Sequence, residues 1–151
     1  YNLYSTGRGK TGDFLVRGAK SRSIDLMGFQ ECDDGSKVLK AAYDAGLEDK
    51  YSVWTGPLGL CLAYRESAFL LLAKGEEEVA EDNAGQYTGR RGAQWMRLQH
   101  LGTSRNLLLV NHQGPLPVGS GGVCGGVSTA HNLLRVIGSR AVAGDGILLP
   151  G

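Results

Sequence analysis

The sequence predicts an α/β sandwich, two packed sheets with a few helices, in place of a doubly wound nucleotide fold. Candidate strands outnumber candidate helices, and their order mixes hairpins with crossovers. The 24 glycines punctuate short apolar runs. That is more than twice the average usage of about 7%, with no period and no linker block, so the glycines mark loops between strands. At 151 residues, 42% of them hydrophobic, the chain can build a single domain with a core. No internal repeat or domain boundary is visible, so residues 1–151 read as one domain.

The elements follow in order. The first twenty-odd residues hold a helix or loop with no clear pattern. Residues 24–30, IDLMGFQ, are nearly all apolar and suit a strand buried on both faces. Residues 36–45 set Val38, Leu39, Ala42 and Ala45 at helical spacing, with Gly46 placed to stop the helix. Residues 51–55, 58–64 and 68–73 are short runs split by Thr-Gly-Pro and Arg-Glu-Ser; they predict an antiparallel meander. Residues 93–101 extend it, and the acids Glu76 to Glu78 read as a solvated loop or strand end. Residues 106–111 predict another buried strand. Ser128 is placed to cap a helix that buries Leu133, Leu134 and Ile137 and ends near Gly138. A turn at Gly144-Asp145-Gly146 introduces a last strand at 147–149.

Charge and cysteines narrow the classes. A net charge of +1 gives no bulk attraction to nucleic acid or membrane. Cys32, Cys61 and Cys124 are odd in number and fit no zinc spacing, so they read as reduced, buried thiols. No apolar stretch reaches the ~20 residues that span a bilayer. The chain starts at Tyr1 and stops at Gly151, so it reads as a fragment, and its localisation is left open.

Three stretches share a layout in which an apolar run ends in polar groups of functional type. They are Tyr1-Asn2, Phe29-Gln30-Glu31, and Val110-Asn111-His112 before Gln-Gly-Pro. Strands of one sheet end at a common edge, so distant residues can converge there. A carboxylate and an amide oxygen are hard ligands suited to Mg²⁺ or Mn²⁺. A histidine can act as acid or base, or hydrogen-bond a phosphate oxygen. Together they suit metal-assisted phosphoester hydrolysis.

On these residues the sequence resembles the endonuclease/exonuclease/phosphatase superfamily, the deoxyribonuclease-like hydrolases. The matching stretches are Asn2 at the first strand end, DLMGFQE ending at Glu31, LAYRES at 62–67, and VNHQGP with His112. The resemblance implies a two-sheet deoxyribonuclease-like sandwich. It implies Glu31 as the main ligand of Mg²⁺ or Mn²⁺, Asn2 beside it, and His112 in contact with the phosphate. Arg90, in YTGRRGAQW, falls where such enzymes place a phosphate-binding arginine, and Asn111 joins it as a phosphate contact. The family's later Gly-Asp-x-Asn and Asp-His motifs are missing from the sequence. Asp145 precedes its apolar run where the family's Asp follows one. The expectation is therefore an N-terminal part, its C-terminal strands missing and itself inactive, of a divalent-metal-dependent phosphoesterase. The alternative is a non-catalytic sandwich that serves as a binding or interaction module. The substrate would be a phosphate ester, with nucleic acid, phospholipid headgroup and inositol phosphate not distinguished. No obligate protein partner is evident.

Other motifs carry less. STGRGKTG at 5–12 has Tyr4 where a phosphate-binding P-loop needs glycine. GSGGVCGG at 119–126 puts Cys124 where a dinucleotide fingerprint needs its third glycine. It reads as a flexible connection. His100 and His131 read as packing or surface residues.

Overall fold

A computed structural model describes residues 2–3, 11–21, 23–81, 89–115 and 126–150. The order is α1 (Thr11–Ser21), β1 (Leu26–Gln30), α2 (Gly35–Asp44), β2 (Tyr51–Thr55), β3 (Leu60–Arg65), β4 (Phe69–Glu81), β5 (Arg90–His100), β6 (Asn106–His112), α3 (Gly126–Arg140) and β7 (Gly146–Leu148). Strands β1-β3-β2 form one sheet, and β4-β5-β6-β7 form the other. All pairings are antiparallel except β6 with β7. The predicted α/β sandwich is therefore what forms.

Burial follows strand alternation. Met27 and Phe29 of β1 face outward, onto a core with Leu15 and Val16 of α1 and Leu39 and Ala42 of α2. Between the sheets lie Leu62, Phe69, Met96, Leu98 and Leu109. Behind the second sheet, Val79, Ala93, Trp95, Leu108 and Val110 meet Leu133 and Val136 of α3. Helix α1 can approach α2 closely because Gly12 has no side chain; a Cβ there would stand 2.5 Å from the Ala41 carbonyl oxygen.

Four expectations are corrected. The run of hairpins is not one meander: after β3 the chain crosses to the other sheet, and β4 opens the second set of strands. The acids Glu76 to Glu78 are strand, not loop, because β4 runs on to Glu81. Each finds support there: Glu77 pairs with Arg140 at 2.8 Å, Glu78 with Arg90 at 3.5 Å, and Glu76 turns inward. Helix α3 begins at Gly126, so Ser128 lies inside it and is no cap. Finally, Cys32 and Cys61 are joined in a disulfide, with Cα atoms 5.8 Å apart, and are not reduced thiols. Cys124, and most of the two glycine-rich loops, lie outside the described residues.

Asp145 is structural. Its carboxylate, 2% exposed, accepts from Arg97 Nε and Nη2 at 2.7 and 3.0 Å and from the Val142 N–H. His100 packs edge-on against Phe69, as a packing residue should, and His131 is exposed.

Candidate active site

The polar strand ends do converge. Asn2 bridges in parallel to Gln30, and the Leu3 N–H donates to the Gln30 carbonyl at 2.9 Å. This lays Asn2 and Leu3 beside the end of β1. From the second sheet, β6 reaches the same edge, where Gln113 Nε2 donates to Glu31 Oε1.

Glu31 sits at the turn that ends β1. Its φ is +56°, in the left-handed region, where a side chain costs roughly 1–2 kcal/mol. Such strain persists only where the surroundings fix it. Here they do: the Cys32 N–H donates to Gly59 O at 2.9 Å, and Cys32 is bonded to Cys61. Beyond it, Asp34 caps α2, accepting from the Ser36 and Lys37 N–H groups at 3.0 and 3.2 Å. Those amides, the Lys37 N–H first, lower the Asp34 pKa and favour its ionised form.

Asn111 belongs to the scaffold. It is fully buried; its Oδ1 accepts from Gln30 Nε2 at 2.5 Å, and its Nδ2 donates to Phe29 O and Cys61 O at 2.9 and 3.2 Å. In place of the expected phosphate contact, this amide stitches β6 to β1 and β3. Gln94 repeats the device one strand over, donating to Trp54 O and Leu60 O. Beside Gln94, Glu76 accepts from the Leu58 N–H at 3.2 Å, and burial raises its pKa.

His112 ends β6 opposite Ala93. Asn111 faces the other sheet and Val110 faces α3, so alternation sets His112 on the α3 side. Gln113, one residue on, is the side chain that reaches Glu31. Burial lowers the His112 pKa, so the ring is neutral at neutral pH, and its Nδ1 is buried with no partner. Arg90 begins β5 three residues before Ala93, exposed and paired with Glu78 at 3.5 Å. Asn2, Glu31 and Gln113 thus meet at one edge, while His112 faces the α3 side of β6 and Arg90 lies three residues from its partner Ala93.

The edge offers hard oxygen donors from Glu31 and Asn2. Among the described residues no three His, Cys, Asp or Glu side chains gather around one point. A hard cation that keeps most of its waters fits such a sparse set better than one needing a full protein cage. Sequence reading missed Gln113 as the partner of Glu31, although it directly follows His112. It also missed Thr11, which lies with Glu31, Asp33, Asp34 and Lys37 around a cavity of about 250 Å³.

No family model matches the chain, and no curated protein matches it. Solved structures do. A mannosyl-6-phosphatase of Bacteroides thetaiotaomicron VPI-5482 superposes with a TM-score of 0.72 at 15% identity, over 97% of this chain and 57% of that one. An endonuclease/exonuclease/phosphatase family protein from Bacteroides thetaiotaomicron gives 0.69 at 16%, over 97% and 56%. The human Nocturnin catalytic domain with bound sulfate gives 0.61 at 12%, over 93% and 55%. The chain has the fold of the endonuclease/exonuclease/phosphatase superfamily and spans little more than half the length of these structures. No helix among the described residues is long and apolar enough to cross a membrane.

Proposed function

We propose that the chain supplies the Asn, Glu and His part of a phosphoesterase active site that uses Mg²⁺ or Mn²⁺. One observation carries this reading: Asn2, the strained Glu31 and the Asn111–Gln113 strand end meet at one edge of a fold shared with phosphatases. In this reading Glu31 and Asn2 give two oxygens to the ion. Bound there, the ion would offset phosphate charge and make a coordinated water more acidic. Glu31 is held for this by Gln113, which fixes one carboxylate oxygen and leaves the other free to point outward. His112, neutral at neutral pH, would donate to a phosphate oxygen from one ring nitrogen. Arg90 would give a second, charged contact once drawn from its exposed pair with Glu78, a pair of the kind worth little.

The alternative is a non-catalytic sandwich used as an interaction module. The sparse ligand set around Glu31 favours it. The test is Mn²⁺ binding followed by electron paramagnetic resonance, with hydrolysis of generic phosphomonoesters and phosphodiesters alongside. The reading expects weak binding that Glu31→Gln abolishes, and little turnover by residues 1–151. A version extended to the length of the superposed structures should turn over, and Glu31→Ala or His112→Ala should lower its rate by roughly 10²–10⁴-fold. Mn²⁺ binding indifferent to Glu31→Gln would favour the module.

A further inference from the structure

We propose that Glu76 is a positioning residue for the Glu31 edge: as a neutral acid it locks the β2–β3 turn, residues 56–59, onto the second sheet, and its ionisation releases that turn. Taking Glu31 as the metal ligand rests on the phosphoesterase reading; the rest is geometry. The turn is held from two sides. The Cys32 N–H, next after Glu31, donates to Gly59 O at 2.9 Å, and the Leu58 N–H donates to Glu76 Oε1 at 3.2 Å. A path therefore runs from β4 through the turn to the backbone beside Glu31. Glu76 Oε2 is buried with no partner, and so is Oε1 of Gln94, its cross-strand neighbour. Rotating the Gln94 amide does not help, because its Nε2 already donates to Trp54 O and Leu60 O. Buried polar atoms without partners are uncommon. One proton satisfies both: a carboxylic acid has an O–H to give, and Gln94 Oε1 can accept it. Glycine makes the close packing possible. A Cβ on Gly56 would stand 1.7 Å from Glu76 Oε2, and one on Gly92 would stand 2.7 Å from its Oε1.

Among the described residues, no cation stands ready to hold Glu76 as a carboxylate. On β4, Lys74 and Glu78 share its face; Lys74 lies 5.0 Å from the centre of the Trp54 ring, and Glu78 pairs with Arg90 at 3.5 Å. On β5 and β6, Gly92, Gln94 and Asn111 are uncharged. Across the interface, residues 52–62 of the hairpin hold one titratable side chain, Cys61, and it is in the disulfide. Burial thus dominates and raises the Glu76 pKa, with the Leu58 N–H opposing it. Ionisation would leave an unpaired charge out of reach of water, which is costly unless the site opens. Opening moves Leu58 and Gly59, and Gly59 O then no longer fixes the backbone beside Glu31. As pH rises through the folded value of Glu76, the edge should loosen.

The test follows the ¹⁵N amides of Cys32, Leu58 and Gly59 by nuclear magnetic resonance from pH 4 to pH 8, in chemical shift and in hydrogen exchange corrected for the intrinsic rate. The Leu58 shift should inflect above the ordinary glutamate value of about 4.3, and protection of Leu58 and Cys32 should fall beyond that inflection. Glu76→Gln can still accept from Leu58 and can donate to Gln94. It should therefore fold at least as stably as the parent, show no inflection and keep its protection throughout. Mn²⁺ affinity supplies a readout that a merely structural residue would not move. Between pH 5 and pH 8 the ratio of parent to Glu76→Gln affinity should fall about tenfold, the scale of groups that orient a ligand. The ratio cancels the titration of Glu31 and His112, which both chains share. A Leu58 inflection at the ordinary glutamate value, or a flat affinity ratio beside intact Mn²⁺ binding, would overturn the proposal. Absence of Mn²⁺ binding by both chains would sink the phosphoesterase reading instead, and Cys32 protection indifferent to Glu76→Gln would still overturn this one.

Discussion

At the residue scale, the edge depends on what holds Glu31 still. The strand pattern of IDLMGFQE announces that a carboxylate follows a buried strand. It cannot announce that the carboxylate turns through a left-handed φ of +56° and is gripped by Gln113, because both depend on which strand lies opposite. Groups that orient a metal ligand typically govern 10–100-fold in affinity. Gln113→Leu should therefore weaken Mn²⁺ binding by about tenfold with the fold intact, measured by the same resonance titration; unchanged affinity would make Gln113 mere packing. Asn111 shows the opposite error. Its place before His112 suggests a phosphate contact, whereas every bond of its amide goes inward. Glu76 was invisible for a similar reason: an acid among acids reads as solvated until a second sheet covers it. Burial raises its pKa in the fold. The fold thus binds this proton more tightly than the unfolded chain does. Its stabilising contribution is full below the ordinary glutamate value of about 4.3 and is lost as pH rises through the folded value. Glu76→Gln should raise the melting temperature at pH 7–8 and have little effect near pH 4. A larger gain at low pH would contradict the sign.

At the element scale, strands were legible where an apolar run was bounded by turn residues: 51–55 is recovered without change, and the others within a few residues, apart from β4. The crossover between sheets was not, because Glu66 to Ala68 form a short turn whether the next strand pairs with the last one or leaves it. Helix α1 was hidden because its buried Leu15 and Val16 are adjacent and Gly12 and Gly18 interrupt it. Gly12 lets α1 seat on α2. Gly12→Ala pushes a methyl group into the Ala41 backbone and should cost about 1–3 kcal/mol in denaturant unfolding. No loss would mean that the two helices slide apart freely. The Cys32–Cys61 bond ties the end of β1 to β3 across 29 residues of sequence. In the loop-entropy view a closure of that size is worth roughly 3–4 kcal/mol. Cys32→Ser with Cys61→Ser should lower stability by about that much. Because Cys32 adjoins Glu31, the change should also weaken Mn²⁺ binding; a stable double variant with unaltered metal affinity would show that the disulfide does not shape the edge.

At the scale of the whole molecule, one side of the sandwich stands open. The second sheet ends there at β7, and residues 26–28 of β1 with Leu109, Leu148, Leu149 and Pro150 line a space of about 300 Å³. Ile147, Leu148 and Leu149 are about half exposed, at 50%, 48% and 48%. Natural sheets guard such an edge with charge, proline or a bulge. Here a single proline, Pro150, follows three apolar residues. A further strand could pair with β7, and the chain covers only 57% of the mannosyl-6-phosphatase it superposes on. Left uncovered, the apolar edge should seek another chain. Residues 1–151 should associate with rising concentration and unfold over a broad range. Ile147→Lys, on the exposed strand β7, should shift sedimentation toward the monomer. A monomer at every concentration, with one sharp cooperative melt, would mean that β7 closes the sandwich sufficiently by itself. The open-edge argument would then fail, and with it the reason for expecting more strands.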